Sequence, residues 1–303
     1  MSLVRRRRLA SELRRLREAA QLTCDEVAVR LDCSASKISR IETGRVLVSP
    51  RDVRDLLSIY GVPEDQRDSL IQLARDSRQK GWWHSWGDVQ PHLVTYLGLE
   101  SEASEIRQYA VARIPSLLQT ENYARAVTTG GRVGMIRYPA HADRTVEMLM
   151  ERQRLARATA PGVQVVLDEA GLRRLVGGQE VMREQIEHLI GLSSMKTMVL
   201  QCIPFTSGAH VALDLPFVIL GFADPADPDV VAVGYPTGVL WLEDTAEVHS
   251  YSTFFHHLQA TALSPRDSAA LFASVLKDLE LTSSDGTGAE QTSQVLLRPS
   301  SEA

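Results

Sequence analysis

Residues 16–44 read LREAAQLTCDEVAVRLDCSASKISRIETG, a stretch whose pattern predicts short helices joined by tight turns. Thr23 followed three residues later by Glu26 is a capping box, which begins a short helix. Asp32 lies in the turn that follows, and Ser34 is placed to cap the next helix. Two short helices joined by a turn of this length form a helix-turn-helix, an arrangement that many DNA-binding domains use.

The helix that Ser34 begins has two distinct faces. Ile38 and Ile41 point inward at helical spacing, and Gly44 ends the helix. The side chains left on the opposite face are Ala35, Ser36, Ser39 and Arg40. Arginine in such a position can bond one guanine through two hydrogen bonds, which makes Arg40 the strongest candidate for contacting a base.

Apolar residues at helical spacing predict three further helices around this pair. The first covers residues 8–20, the fourth begins at Pro50 and ends at Gly61, and the fifth begins at Pro63. We therefore expect residues 1–80 to fold as an all-α domain of five helices.

The run from Leu16 to Gly44 closely resembles the Cro/CI-type, or XRE-type, family of helix-turn-helix domains. The resemblance implies that the third helix enters the major groove. It also implies that the residues of this helix that face the edges of the bases are Ala35, Ser36, Ser39 and Arg40. It implies phosphate contacts from Thr23, Lys37 and Arg45, together with Arg5, Arg6, Arg7 and Arg8. For the arginine run two interpretations stay open, a solvated start of the first helix and an arm that lies along DNA.

Two positions depart from that family. Position 32 is usually glycine because the turn needs a left-handed backbone, and aspartate tolerates that conformation at a modest cost. Position 24 is often a glutamine that braces a base-reading side chain, and here it is cysteine. The resemblance otherwise implies a homodimer on a palindromic operator in double-stranded DNA, with half-sites about one helical turn apart.

The charges of the chain are divided unevenly. Residues 1–80 hold 17 Lys and Arg against 12 Asp and Glu, whereas the other residues hold 16 against 26. A basic segment favours a polyanion and an acidic one repels it, so nucleic-acid contact is expected in the N-terminal part. The wide spacing of the cysteines and the absence of a long apolar stretch argue against a disulfide framework, a metal site and a membrane span. We expect a cytoplasmic, nucleoid-associated protein without a cofactor.

The rest of the chain predicts a second domain of mixed composition. Residues 81–97 hold three of the four tryptophans and are interpreted as an ordered hinge, because a flexible linker would leave so many aromatic rings exposed. Residues 98–281 predict a mixed α/β domain with helices up to residue 159, one of them spaced on Glu102, Ile106, Tyr109 and Ala110. Five β-rich runs follow, at 164–167, 197–203, 217–222, 230–235 and 239–242.

The last three of these runs lack intervening helices and predict an antiparallel meander, with helix again over residues 244–281. Residues 282–303 have the composition of a disordered tail. The fold class that follows is α+β, a five-helix N-terminal domain and a mixed α/β C-terminal domain with a partly antiparallel sheet.

The segment 114–124, IPSLLQTENYA, looks like the "vPgLLQTpdYA" signature of streptomycete and other actinobacterial regulators. Together with Glu151-Arg152-Gln153, the run 167–172 and His210, it resembles the WhiJ-like group. Such regulators are often encoded beside small BldB-like partner proteins and are implicated in the control of morphological development and antibiotic production. The resemblance implies a transcription regulator, expected to be a repressor, that such a partner or a ligand controls through the C-terminal domain.

The role of residues 98–281 stays open between two interpretations. In the first, the domain is a sensor or protein-interaction module whose pocket or partner surface would use Leu117, Leu118, Gln119, Thr120, Tyr123 and His210. In the second, it is only a dimerisation scaffold, and the same apolar residues pack in its core. No catalytic arrangement stands out, so we expect no enzyme. A rival class, an antitoxin-like autorepressor that neutralises a partner protein, would bind DNA in the same way.

Overall fold

A computed structural model describes residues 3–78, 81–87, 89–130, 139–213, 215–235 and 237–284. The chain divides into two compact units. The first unit combines Met1–Tyr109 with Arg154–Gln164 and Leu215–His256, and the second combines Ala110–Gln153, Val165–Asp214 and His257–Ala303. The N-terminal helices therefore belong to the same compact unit as a segment far along the chain.

Five helices make up the N-terminal part of the first unit. They are α1 (Leu3–Ala19), α2 (Cys24–Arg30), α3 (Ala35–Glu42), α4 (Pro50–Ile59) and α5 (Glu64–Asp76). Their inward side chains, among them Leu13, Val27 and Ile38, are fully buried in one core. Gly44 and Gly61 have φ angles of +64° and +73° and lie just past α3 and α4, as predicted. The prediction of a five-helix N-terminal domain is confirmed.

The strands are β1 (Glu105–Ala110), β2 (Gly162–Asp168), β3 (Met198–Ile203), β4 (Phe217–Gly221), β5 (Val230–Tyr235) and β6 (Gly238–Leu242). They form one sheet in the order β3-β2-β1-β4-β5-β6. Strand β4 pairs antiparallel with β1 and with β5, and β5 pairs antiparallel with β6. The last three strands thus form the predicted meander, and the α+β fold class is confirmed.

The remaining helices are α6 (Pro91–Glu100), α7 (Glu121–Gly130), α8 (Pro139–Thr159), α9 (Glu169–Arg173), α10 (Gln179–Leu192), α11 (Thr245–Thr261) and α12 (Pro265–Ser284). In the second unit α10 packs against α12, and Met182, Ile186 and Phe272 are fully buried. Before α6 the tryptophans form a 3-10 turn, Trp82–Trp86, in which Trp83 is buried. In the part of the chain that the structure describes, no helix is both long enough and apolar enough to cross a membrane.

Residues 105–110 form strand β1, so the helix predicted there is wrong. Ile106 and Tyr109 have helical spacing, yet they pair with Leu220 and Phe217 in the register with β4. That pairing partner lies far along the chain, and a local pattern cannot reveal it. At the C-terminal end, α12 continues to Ser284, beyond the predicted start of the tail, and residues 285–303 lie outside the described residues.

The two edges of the sheet are finished differently. At β3, the Cys202 amide donates to the Ser268 hydroxyl at 2.9 Å, and the Cys202 carbonyl accepts from the Leu263 amide at 2.9 Å. At β6, within the described ranges, no backbone group bonds to an element other than β5. Strand β6 reads GVLWL, with no charge and no proline, and the side chains of Leu240 and the neighbouring Tyr235 are exposed. Edge β3 is therefore covered, and edge β6 is open.

Candidate nucleic-acid interface

The turn between α2 and α3 has the geometry that the sequence predicts. The Glu26 amide donates to the Thr23 hydroxyl at 3.2 Å, and the Thr23 amide donates to the Glu26 carboxylate at 2.8 Å, which completes the capping box. Asp32 has a φ angle of +51°, in the left-handed region that the turn requires. The Ser34 hydroxyl accepts from the Lys37 amide at 3.2 Å. These local contacts fix the point at which α3 begins.

Helix α3 presents a polar face to solvent, opposite its buried isoleucines. Ser36, Ser39 and Arg40 are exposed, and Ala35 is half-buried at the margin of the core. The Arg40 guanidinium donates through Nε to the Ser36 carbonyl at 3.3 Å, so the side chain lies back along the helix. The residues predicted to contact bases therefore share one accessible surface, and their contact with DNA stays a prediction.

Three of the residues predicted to contact phosphate differ in the partners that their side chains already have within the protein. The Thr23 hydroxyl takes part in the capping box. Lys37 Nζ lies 3.4 Å from Asp52 Oδ2 in the first turn of α4. Arg45 is exposed and forms no ion pair with any residue of the described ranges. Of the three, Arg45 is the side chain most available to a phosphate.

The run Arg5 to Arg8 lies within α1, so it is the start of a helix and not an extended arm. Arg5 Nη1 lies 3.7 Å from Asp76 Oδ2 of α5. Arg6 is half-buried, and burial lowers the pKa of its guanidinium. Arg5 is therefore exposed beside α5, whereas Arg6 is partly enclosed.

Arg7 and Arg8 pair with three carboxylates that we call the acidic clasp, Asp224, Asp227 and Glu243. Arg7 Nη2 lies 3.1 Å from Glu243 Oε2, and Arg8 pairs with Asp224 and lies 3.9 Å from Asp227 Oδ2. A cavity of about 410 Å³ runs along this contact, and its lining includes Arg14 and Thr43. Arg8 and Asp224 are 216 residues apart, so no pattern in the sequence could have revealed the contact.

A buried ion pair that sequence reasoning missed holds α1 to the end of α3. Arg17 donates through Nε to Glu42 Oε1 and through Nη2 to Glu42 Oε2, both at 2.8 Å, and the two side chains are only 12% and 4% exposed. The Tyr60 hydroxyl donates to Glu42 Oε1 at 3.4 Å. The hydrogen bond with Glu42 raises the pKa of Arg17, and burial raises the pKa of Tyr60. The pair holds the C-terminal end of α3 against α1.

The predicted partner surface in the second unit lies mostly inside the protein. Leu117, Leu118, Gln119 and Tyr123 are each at most 6% exposed, so the core-packing interpretation fits them and a surface role does not. The side-chain amide of Gln119 donates to the Ile114 carbonyl at 2.7 Å, which shows that the signature builds its own loop.

Neighbouring side chains complete the hydrogen bonding of that loop. Gln153 Nε2 donates at 2.8 Å to the carbonyls of Ser116 and of Gln119, and Gln185 Nε2 donates to the Leu118 carbonyl at 2.7 Å. The Thr120 amide donates to Gln185 Oε1 at 2.8 Å, and Thr120 is half-buried. These amide side chains replace water for a backbone segment that the core encloses.

The His210 side chain, also expected on that surface, is only 2% exposed. Its Nε2 lies 3.7 Å from Asp168 Oδ2 at the end of β2. A histidine enclosed in this way offers no surface to a partner.

Two family models match different parts of the chain. Residues 8–70 match the family model described as Helix-turn-helix domain, and residues 93–274 match the model described as Domain of unknown function (DUF5753). The second match covers more than half of the chain. No curated protein and no solved structure matches the sequence.

Proposed function

The chain belongs to the DUF5753 family, and because it also carries a helix-turn-helix domain, we propose that it is a sequence-specific DNA-binding transcription regulator. The observation that carries the proposal is the accessible polar face of α3, with Ser36, Ser39 and Arg40 exposed above buried isoleucines. In this proposal α3 enters the major groove, Arg40 bonds guanine O6 and N7, and Ala35 contacts a thymine methyl group. Occupancy of a promoter then represses transcription.

Selection of bound duplexes from a random DNA pool tests the proposal. The wild type should enrich one palindromic motif with half-sites about one helical turn apart. Arg40→Ala should lose preference at one position of each half-site, with discrimination falling by about 1–3 kcal/mol. The matched variant Arg30→Ala removes an exposed arginine of α2 and should keep the motif. If the wild type enriched no motif at all, the proposed function would be wrong.

A single helix-turn-helix reads only one half-site, so the proposal includes a homodimer. The open edge of β6 supports a second copy as the occupant of that edge. Its five residues carry no charge, so two antiparallel copies bring no like charges together, and it lacks the charged and proline residues that block strand pairing at most edges. Strand β6 also belongs to the same compact unit as α3, so pairing of two β6 strands would join two helix-turn-helix domains.

The resemblance of residues 114–124 to actinobacterial regulators supports control by a small BldB-like partner protein or a ligand. Operator affinity measured with and without the product of the neighbouring gene tests partner control, and an unchanged affinity would argue against it. A genome-wide occupancy map separates a developmental regulator, which should occupy many promoters, from an antitoxin-like autorepressor, which should occupy one.

A further inference from the structure

The contact between α1 and the acidic clasp joins a basic segment, which attracts DNA in the proposed function, to an acidic segment, which repels it. Arg7 and Arg8 lie in the basic N-terminal part, where a phosphate is expected. Asp224 and Asp227 lie in the connection between β4 and β5, and Glu243 directly follows β6. All five residues belong to the first compact unit.

We propose that the acidic clasp is an intramolecular substitute for DNA phosphate, which occupies Arg7 and Arg8 and lowers the affinity of the free protein for DNA. The proposal rests on the function proposed above and names a way in which that function is regulated. DNA and the clasp compete for the same guanidinium groups, so binding of DNA releases the clasp from α1.

The clasp carboxylates and the DNA phosphates offer an arginine the same kind of hydrogen-bond acceptor. A guanidinium donates to carboxylate oxygens and to phosphate oxygens with the same planar set of N–H groups. Arg8 faces two carboxylates at once, and Arg7 faces a third. Two arginines held by three carboxylates carry no net positive charge toward DNA, and the clasp itself repels a polyanion.

The loop is shaped so that its carboxylates meet α1. The Ala226 amide donates to Asp224 Oδ1 at 3.0 Å, and the Asp227 amide donates to the Asp224 carbonyl at 2.9 Å, which closes a turn. Asp227 is only 13% exposed, and burial raises its pKa, so the residue is held close to Arg8 at a cost to its own charged form. The positive charge of Arg8 offsets part of the cost of burying the Asp227 carboxylate.

The pairs are also open enough for DNA to replace them. The side chains of Arg8 and Asp224 are 37% and 41% exposed, and that of Glu243 is 50% exposed. Ion pairs at this exposure are weak and are screened by salt. The cavity beside them leaves room for the arginine side chains to change direction without disturbing the core. A ligand or partner that moves the β4–β5 connection would therefore change DNA affinity through these two arginines.

A double-mutant cycle on the full chain tests the proposal, with a non-specific duplex at low salt as the probe and fluorescence anisotropy as the readout. The first variant carries Asp224→Asn, Asp227→Asn and Glu243→Gln, and the new side chain at position 224 keeps an oxygen that can accept from the Ala226 amide. The second carries Arg7→Gln and Arg8→Gln, and the third combines all five changes. We expect the first variant to bind the duplex about three- to tenfold more tightly than the wild type, with the gain shrinking as salt rises.

The gain should disappear when Arg7 and Arg8 are absent, because the clasp then has nothing to withhold from DNA. Equal gains with and without the two arginines would show simple charge repulsion and would overturn the proposal, as would no gain at all. The matched control carries Glu180→Gln, Glu184→Gln and Glu187→Gln, which remove the same charge from α10 in the second unit and should give a smaller gain than the clasp variant. A wild type that bound no duplex would instead refute the proposed function.

Discussion

The pair Arg17 and Glu42 shows how two side chains can decide whether α3 is held in place. Glu42 is the last residue of α3, and it accepts from Arg17 of α1 and from Tyr60 just past α4. Three helices thus meet on one carboxylate. A buried charge without its partner is far more costly than the pair is favourable, so the site is sensitive to loss of either side chain.

Replacement of Glu42 by glutamine should therefore lower the free energy of unfolding by about 3 kcal/mol, because the largely buried Arg17 loses the carboxylate with which it forms two charge-assisted hydrogen bonds. Urea denaturation of the full chain followed by circular dichroism measures the change. Glu12→Gln is the matched control, since Glu12 pairs with Arg15 near the surface of α1, and it should leave stability unchanged. Equal stability of both variants would show that the pair has no role in holding the helices together.

At the scale of elements, α3 depends on a single cap. The helix has only eight residues, and the Ser34 hydroxyl satisfies one of the free amides at its start. Short helices gain little from propensity, so a lost cap weighs heavily on them.

Ser34→Ala should cost about 1 kcal/mol of stability, and Ser34→Asp should restore most of it because aspartate also accepts from the first turn. Thermal unfolding of the three proteins measures the effect. The same ranking is expected for operator affinity, since a frayed start of α3 misplaces Ser36. If Ser34→Ala were as stable as the wild type, the Ser34 hydroxyl would contribute nothing to the stability of the protein.

Local chemistry predicted the elements whose signals are local. Thr23, Asp32 and Gly44 act on neighbours within a few residues, and each has the conformation that its residue type indicates. Strand β1 was missed because its partner β4 lies far away in sequence, and tertiary pairing overrides a spacing that also fits a helix. The clasp was missed for the same reason. The exposed face of α3 was predicted because periodicity alone defines it.

At the scale of the whole molecule, the charge asymmetry of the sequence acquires a geometric meaning. The acidic part does not simply repel DNA at a distance, because three of its carboxylates contact the basic helix α1. The two halves of the charge pattern therefore meet inside one compact unit.

The homodimer proposed above also belongs to this scale, and we expect it to form through the edge of β6. Leu240→Lys places a charge on that edge and should weaken self-association about tenfold or more in sedimentation equilibrium. Leu175→Lys is the matched control, since Leu175 is 52% exposed against 51% for Leu240 and belongs to the other compact unit. Unchanged association of the Leu240 variant would place the interface elsewhere.

The covered edge at β3 has a consequence for how assembly stops. A sheet with two open edges can add copies at both ends and grow into a filament, whereas one sealed edge leaves room for a single junction. On that side the Cys202 amide donates to the Ser268 hydroxyl, and the Cys202 carbonyl accepts from the Leu263 amide. The dimer proposed through β6 would therefore be self-limiting, and we expect its stoichiometry to stay at two however high the protein concentration rises.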